Sequence, residues 1–231
     1  MKQQKIFLAG AAGAIGLPLA QLLVKQGYTV TGTTRQKQRV SQLTDIGVKP
    51  VLVDIYDRRS LKLLLKTESP DIVIHQLTDL PLGVPAEKME EGRIRNNQIR
   101  LEGTRNLLDA MDNLKIGRLI VQSIAFQYNA GHLPHAESDK LSSEALEQFE
   151  TMVLESGFKT TVLRYGRFYG GRTGVERMQE PCRVNVISAA HATILALGKL
   201  KKPVYNVCED SEYADNRAFI QETGWKPEAD Q

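Results

Sequence analysis

Short apolar runs alternate with amphipathic stretches along most of this chain. Residues 6–9 (Ile-Phe-Leu-Ala) read as a buried strand. After three spaced glycines, residues 15–26 read as a helix, with Ala20, Leu23 and Val24 spaced to face a sheet. The alternation continues with a strand at 29–33, a helix at 38–45 stopped by Gly47, and a strand at 48–53. A helix at 57–66 places Leu61, Leu64 and Leu65 on one face, and a strand follows at 71–76. A loop with Pro81, Gly83 and Pro85 precedes a long helix over 87–111, with Gly92 and Gly103 as places for a kink. Then come a strand at 118–122, a polar loop with Gly131 and Pro134, a helix at 142–155 and a strand at 160–164. Near-continuous apolar strands joined by helical crossovers predict an α/β fold, a Rossmann-type doubly wound parallel sheet.

Beyond Gly174 the pattern weakens. Short strands are expected at 184–187 and 204–207. A helix at 188–200 has Ser188 as its cap, and a last helix spans 214–223. Residues 1–231 therefore read as a single domain, with 174–231 as a reduced C-terminal lobe over the sheet's C-terminal edge.

Composition narrows the function classes. At 231 residues, 42% hydrophobic and 25% charged, the chain is an ordinary globular one. A net charge of +3 is too small to argue for nucleic acid, and no basic run is interleaved with aromatics. Lys199, Lys201 and Lys202 read as a solvated helix end. Two cysteines, Cys182 and Cys208, make neither a disulfide framework nor a zinc pattern, so no metal is expected. Residues 6–24 carry no charge after Lys2 and Lys5 and could pass for a secretory signal. Their glycines and Pro18 break such an apolar core. With no signal and no membrane span, the expected compartment is the cytoplasm.

The chemistry begins at Gly10-Ala-Ala-Gly13-Ala-Ile-Gly16, between the first strand and the first helix. Gly10 permits a tight turn. Gly13 lets backbone N–H groups approach phosphates, and Gly16 lets the helix lie close to the strand, its positive N-terminus facing an anion. A dinucleotide cofactor is the group this arrangement suits. At the end of the second strand, where a carboxylate would bind a ribose 2′-OH, stands Arg35, with Lys37 and Arg39 downstream. A guanidinium suits a 2′-phosphate, so NADP is expected over NAD, the alternative. Asp54 is placed to accept from an adenine amine, or else to cap a helix. Gln76, Leu77 and Thr78 end the fourth strand, where the chain passes the ribose and pyrophosphate.

These residues, with others in order along the chain, resemble the extended short-chain dehydrogenase/reductase family, also called the NAD-dependent epimerase/dehydratase family. The matching pieces are the glycine turn, Asp54-Ile55, Asp71-Ile-Val-Ile-His75, Glu102-Gly-Thr-Arg-Asn-Leu-Leu-Asp-Ala110 and Leu119-Ile-Val-Gln-Ser123. Leu163-Arg-Tyr-Gly166, Tyr169-Gly-Gly171, Val184-Asn-Val186, Tyr205-Asn-Val207 and Gly224-Trp-Lys-Pro227 complete the set. The resemblance implies that Gly10, Ala12, Gly13, Ala14 and Ile15 hold a pyrophosphate. It implies that Asp54 and Ile55 hold adenine, that Ser123 lies beside the nicotinamide ribose, and that Tyr165 and Gly166 border the nicotinamide ring. It also implies a homodimer built from the helices at 87–111 and 142–155.

The departures matter as much. The family's catalytic tyrosine and its lysine four residues on fall near Ser142 and Leu146, and its catalytic Ser/Thr falls near Ile124. Arg100 stands where an asparagine is usual. No tyrosine here has a lysine four residues later. Substitute acids would be Ser123, Tyr128 or Tyr165, with Tyr169, His132 and His135 also on strand-end loops. A loop histidine is ordinarily just solvated. Three readings follow: an atypical NADP(H)-dependent oxidoreductase or epimerase-like enzyme on a small carbonyl or hydroxyl compound, a catalytically silent NADP(H)-binding redox sensor, and a sugar-nucleotide epimerase or dehydratase.

Overall fold

A computed structural model describes residues 3–80, 83 and 85–227; Pro81 of the expected loop lies outside them. Seven strands form one parallel sheet in the order β3-β2-β1-β4-β5-β6-β9. They are β1 (Lys5–Ala9), β2 (Thr29–Thr34), β3 (Lys49–Leu52), β4 (Ile72–His75), β5 (Arg118–Ile124), β6 (Thr160–Tyr165) and β9 (Val204–Val207). β7 (Arg167–Tyr169) and β8 (Arg183–Asn185) form a separate parallel ribbon. The chain winds outward from β1 to β3 and then returns to β4 on the other side of β1. The order therefore reverses between β1 and β4, which opens a crevice at the strands' C-terminal ends.

Helices cover both faces, which is why the central strands β1 and β4 are apolar nearly throughout. On one face α1 (Gly16–Lys25), α2 (Val40–Asp45), α7 (Val186–Leu195) and α8 (Arg217–Thr223) bury Leu19, Leu23, Leu43, Ala189 and Phe219 against Ile6, Leu8 and Ile74. On the other face lie α3 (Arg58–Glu68), α4 (Met89–Gln98), α5 (Thr104–Met111) and α6 (Glu144–Leu154). There Leu61, Leu65, Leu107 and Phe149 pack on Phe7, Val73 and Val121. Each such side chain taken fully from water contributes about 1.5–3 kcal/mol.

The long helix at 87–111 breaks where Gly103 stands. A π-helical turn, Ile99–Gly103, joins α4 to α5. A Cβ at Gly103 would sit 3.2 Å from the Ile55 side chain, so the glycine lets the helix pass close to the loop after β3. Ser188 is not a cap. α7 starts earlier, because the Asn185 side-chain Oδ1 accepts from the Ile187 N–H at 2.8 Å and caps the helix. Ser188 itself is fully buried, and its carbonyl accepts from the Trp225 indole at 3.1 Å. The lobe expected over 174–231 is divided. β9 extends the main sheet beside β6, α7 packs on α1, and the ribbon of β7 and β8 stands apart. Strands of three residues are too short to show a period in sequence.

Candidate functional site

The glycine turn lies at the reversal of strand order, between β1 and α1. Gly10 has φ +87°, and a Cβ there would sit 2.8 Å from the Gln76 carbonyl oxygen. A Cβ at Gly16 would meet the Gly10 carbonyl oxygen at 2.0 Å. The turn is held from β2: Gly10 N–H donates to Thr33 Oγ1 at 3.1 Å, and Ala11 N–H to the Thr33 carbonyl at 3.1 Å. Ala12, Gly13 and Ala14 are at least partly exposed, whereas Ile15 is buried beneath them. No side chain caps α1, and its first turn holds no acidic residue. Such a helix start, approached closely by backbone alone, suits a phosphate.

On the β2–β3 side, Arg35 is exposed at the end of β2, and its guanidinium lies 3.4 Å from the Asp79 carboxylate. Arg95 on α4 approaches the same carboxylate at 3.7 Å. Asp54 is exposed, and its Oδ1 accepts from Tyr56 N–H at 3.0 Å. Asp57, not Asp54, caps α3, its side chain accepting from Ser60 N–H at 3.0 Å. Ile55 is buried, its carbonyl taking the Asn106 side-chain amide at 3.2 Å. Tyr56 lies among Glu102, Arg35, Asp79 and Asp54, and burial raises its hydroxyl above the usual tyrosine range.

At the end of β4, His75 is buried. Its Nδ1 accepts from Leu77 N–H at 3.2 Å, so Nε2 carries the proton and donates to Thr104 Oγ1 at 2.9 Å. Burial, aided by the nearby Arg100 charge, pulls its pKa down to about 4, and the ring is neutral. Thr78 is exposed and Leu77 half-buried. Gln76 is 5% exposed, with its amide next to the Tyr165 hydroxyl. Neither its Nε2 nor its Oε1 finds a hydrogen-bond partner of ordinary geometry among the described residues. An amide buried this way is costly unless a ligand completes it. The cradle of backbone, the uncapped helix and this amide together fit a dinucleotide.

On the β5–β6 side the expected acids are each engaged within the protein. Ser123 donates to Glu150 Oε1 at 2.6 Å within the protein. Tyr128 donates to Asn206 Oδ1 at 2.5 Å and accepts from Arg164 Nη1 at 3.0 Å. Burial pushes its pKa up to about 12, against the lowering pull of Arg164. Tyr165 is fully buried between β6 and α7. Thr193 donates to the Ala189 carbonyl at 2.9 Å, so the Tyr165 hydroxyl donates to Thr193, at 2.6 Å. Burial raises this tyrosine well beyond its ordinary range. All three hydroxyls are buried and hydrogen-bonded within the protein. Tyr169 likewise donates to Glu209 Oε1 at 2.6 Å.

The hub of this side is the buried pair of Glu150 on α6 and Arg164 on β6, 2.6 Å apart. Gly166 serves packing, since a Cβ there would meet the Cys182 carbonyl oxygen at 2.6 Å. Ile124 and Leu146, near which the resemblance puts the Ser/Thr and the lysine, join an apolar cluster with Ala125, Leu141, Cys182 and Cys208. Arg100 lies near Glu150, and burial lowers its pKa to about 10. His132 is exposed. His135, expected to be solvated, is buried instead. It stacks on Tyr128 with centroids 4.8 Å apart, and its Nδ1 lies 3.0 Å from Asp139.

Sequence reasoning missed Asp79 and Glu150. Asp79 had one signal, an acid in the loop after a strand end. Glu150 had none, since only folding brings it to Arg164. Among the described residues no group of three or more His, Cys, Asp or Glu could hold a metal, and no helix is long and apolar enough to cross a membrane.

Comparison with known proteins sharpens the picture. The sequence pattern of the NAD(P)H-binding family matches residues 10–196. A 3-diazoavenalumate denitrifying reductase from a Streptomyces species is 30% identical over 185 residues, 75% of this chain and 59% of that protein. A UDP-N-acetyl-alpha-D-glucosaminuronate decarboxylase from Bacillus cytotoxicus is 28% identical over 187 residues, 74% of this chain and 56% of that protein. The chain thus matches less than two thirds of these relatives' length. Among solved structures, the UDP-glucose 4-epimerase of Thermus thermophilus in complex with NAD superposes with a TM-score of 0.77 at 19% identity, covering 98% of this chain and 95% of that one. The UDP-glucose 4-epimerase of Thermotoga maritima with UDP-glucose gives 0.73 at 20%, covering 97% and 84%.

Proposed function

The chain belongs to the NAD(P)H-binding family, with the fold of the extended short-chain dehydrogenases/reductases, and from there we propose that it is an NADP(H)-dependent reductase of a small carbonyl compound. One observation carries the reading: a backbone cradle at the sheet's reversal point that any Cβ at Gly10 or Gly16 would fill, beside the unpartnered Gln76 amide. Gly10, Ala12, Gly13, Ala14 and Ile15 would hold the pyrophosphate. Asp54 and Ile55 would hold the adenine, Arg35 the 2′-phosphate, and Gln76, Leu77 and Thr78 the segment towards the nicotinamide. When bound, the cofactor supplies the hydride. The buried hydroxyls of Ser123, Tyr128 and Tyr165 are occupied, so this reading assigns the proton to solvent at the open end of the crevice. The relatives named as a reductase and a decarboxylase support chemistry of this family.

A second reading is favoured by the relay positions. Ile124 and Leu146 are apolar and buried, which suits a protein that binds NADP(H) without turning it over. Titration calorimetry with NADP⁺ and NAD⁺, followed by NADPH oxidation against a panel of small aldehydes and ketones, separates the two. Tight NADP⁺ binding with turnover is expected. Tight binding with no turnover on any member would leave the silent binder standing, and failure to bind either nucleotide would remove both. Turnover of a nucleotide sugar would instead place the chain with the epimerases in activity as well as fold.

A further inference from the structure

The loop after β7 reaches across the molecule to the helix after β2. It is a tight loop, with Gly170 N–H donating to the Val175 carbonyl at 2.7 Å and Thr173 Oγ1 donating back to the Gly170 carbonyl at 3.0 Å. Gly170, Gly171 and Gly174 take φ of +78°, +52° and +78°, a path open to glycine. The Thr173 carbonyl accepts from Gly83 N–H at 2.9 Å, which ties the loop to the segment after β4. At its tip, Arg172 Nη1 donates to Gln42 Oε1 on α2 at 2.7 Å. The same oxygen accepts from Arg39 Nη1 at 3.4 Å.

Two guanidiniums thus converge on one neutral amide oxygen. Among the described residues neither makes an ion pair, whereas Arg35 and Arg95 share Asp79. Residues 34–43 contain Arg35, Lys37 and Arg39, residues 165–175 contain Arg167 and Arg172, and neither stretch has an acidic residue. Cations brought together without a carboxylate repel each other, and a dianion relieves this with charge-assisted hydrogen bonds. Arg39 also donates to Gln36 Oε1 at 3.2 Å, so its side chain lies along the turn that carries Arg35.

We infer that Arg172 and Arg39 complete, with Arg35, the receptor for the adenosine 2′-phosphate of NADP(H), so that cofactor choice is made partly by a residue from a distant part of the chain. This rests on the NADP(H) reading above. The loop is held in place before the ligand arrives, so little conformational entropy is lost on binding.

The test measures Kd by calorimetry for NADP⁺, NAD⁺, adenosine 2′,5′-bisphosphate and ADP, in the wild type and in Arg172→Ala, Arg172→Lys and Arg35→Ala. A lost charged hydrogen bond corresponds to about tenfold or more in Kd. Arg172→Ala is expected to weaken NADP⁺ and the 2′,5′-bisphosphate by about that factor, and NAD⁺ and ADP by less than about twofold. Arg172→Lys should recover part of the loss. A thermal melt without ligand confirms that the variants are folded. If the wild type prefers NADP⁺, Arg35→Ala removes the preference and Arg172→Ala shifts both cofactors alike or neither, the role of Arg172 is overturned while the NADP(H) reading stands. If the wild type does not prefer NADP⁺, that reading falls and the receptor with it.

Discussion

Two halves of one crevice have been treated in opposite ways. Around β1 and the start of α1, the chain keeps features that stabilise nothing by themselves. These are a glycine at φ +87°, a helix without a side-chain cap and a buried amide without a hydrogen-bond partner of ordinary geometry among the described residues. Over β5 and β6 the reverse holds. Ser123, Tyr128, Glu150, Arg164 and Asn206 are bonded to one another in a buried network, and Ile124 and Leu146 lie in an apolar cluster. Polar groups left open toward solvent mark a place for a ligand. Polar groups bonded to each other make a joint between strands and helix. The lesson is that a tyrosine or serine at a strand end is not an acid until its partners are known.

The strongest way to break that comparison is to remove Glu150. If the β5–β6 half is a structural joint, Glu150→Ala leaves Arg164 charged and buried, and unfolding in urea should show a loss of about 3–5 kcal/mol. A folded, equally stable variant that has lost only activity would make Glu150 part of the chemistry instead. In the other half the effect should fall on binding. Gly10→Ala places a Cβ against the Gln76 carbonyl at a backbone angle that costs about 1–3 kcal/mol for an L-residue. If this turn holds the nucleotide as proposed, cofactor affinity should drop about 100-fold. Unchanged calorimetric titration would place the nucleotide elsewhere.

His75 sits between the halves and makes stability depend on pH. The folded chain holds this ring neutral down to about 4, whereas unfolded chains bind the proton near a pKa of ~6.5. Stability is therefore complete above about pH 6.5 and falls as pH is lowered toward 4, by up to about 3 kcal/mol. Urea midpoints across that range should fall with pH in the wild type and much less in His75→Gln. Equal slopes would show that another group carries the dependence. The smallest effect belongs to Tyr128→Phe, expected to lower stability by about 1–2 kcal/mol while cofactor affinity and turnover stay as they were. Loss of turnover at unchanged stability would restore Tyr128 as an acid.

Much of this was legible in one dimension, for a physical reason. The strands of a covered parallel sheet are apolar on both faces, so β1, β4, β5 and β6 stand out, and the glycine spacing reports a turn where Cβ atoms cannot fit. Arg35 and Asp54 stand exposed near the ends of β2 and β3, where their spacing in the sequence puts them. What the sequence could not carry were pairings between distant segments. Glu150 finds Arg164, Tyr128 finds Asn206, and Arg172 finds Gln42 only once β6, β9 and the loop after β7 are folded against α6 and α2. Whether a hydroxyl faces solvent or another side chain depends on those long-range contacts. The sequence by itself determined the sheet, its crossovers and the glycine turn, because these rest on local periodicity and on what a missing Cβ allows. Only the tertiary structure decided that the candidate acids are buried structural partners, because burial and hydrogen bonding are properties of the packed chain.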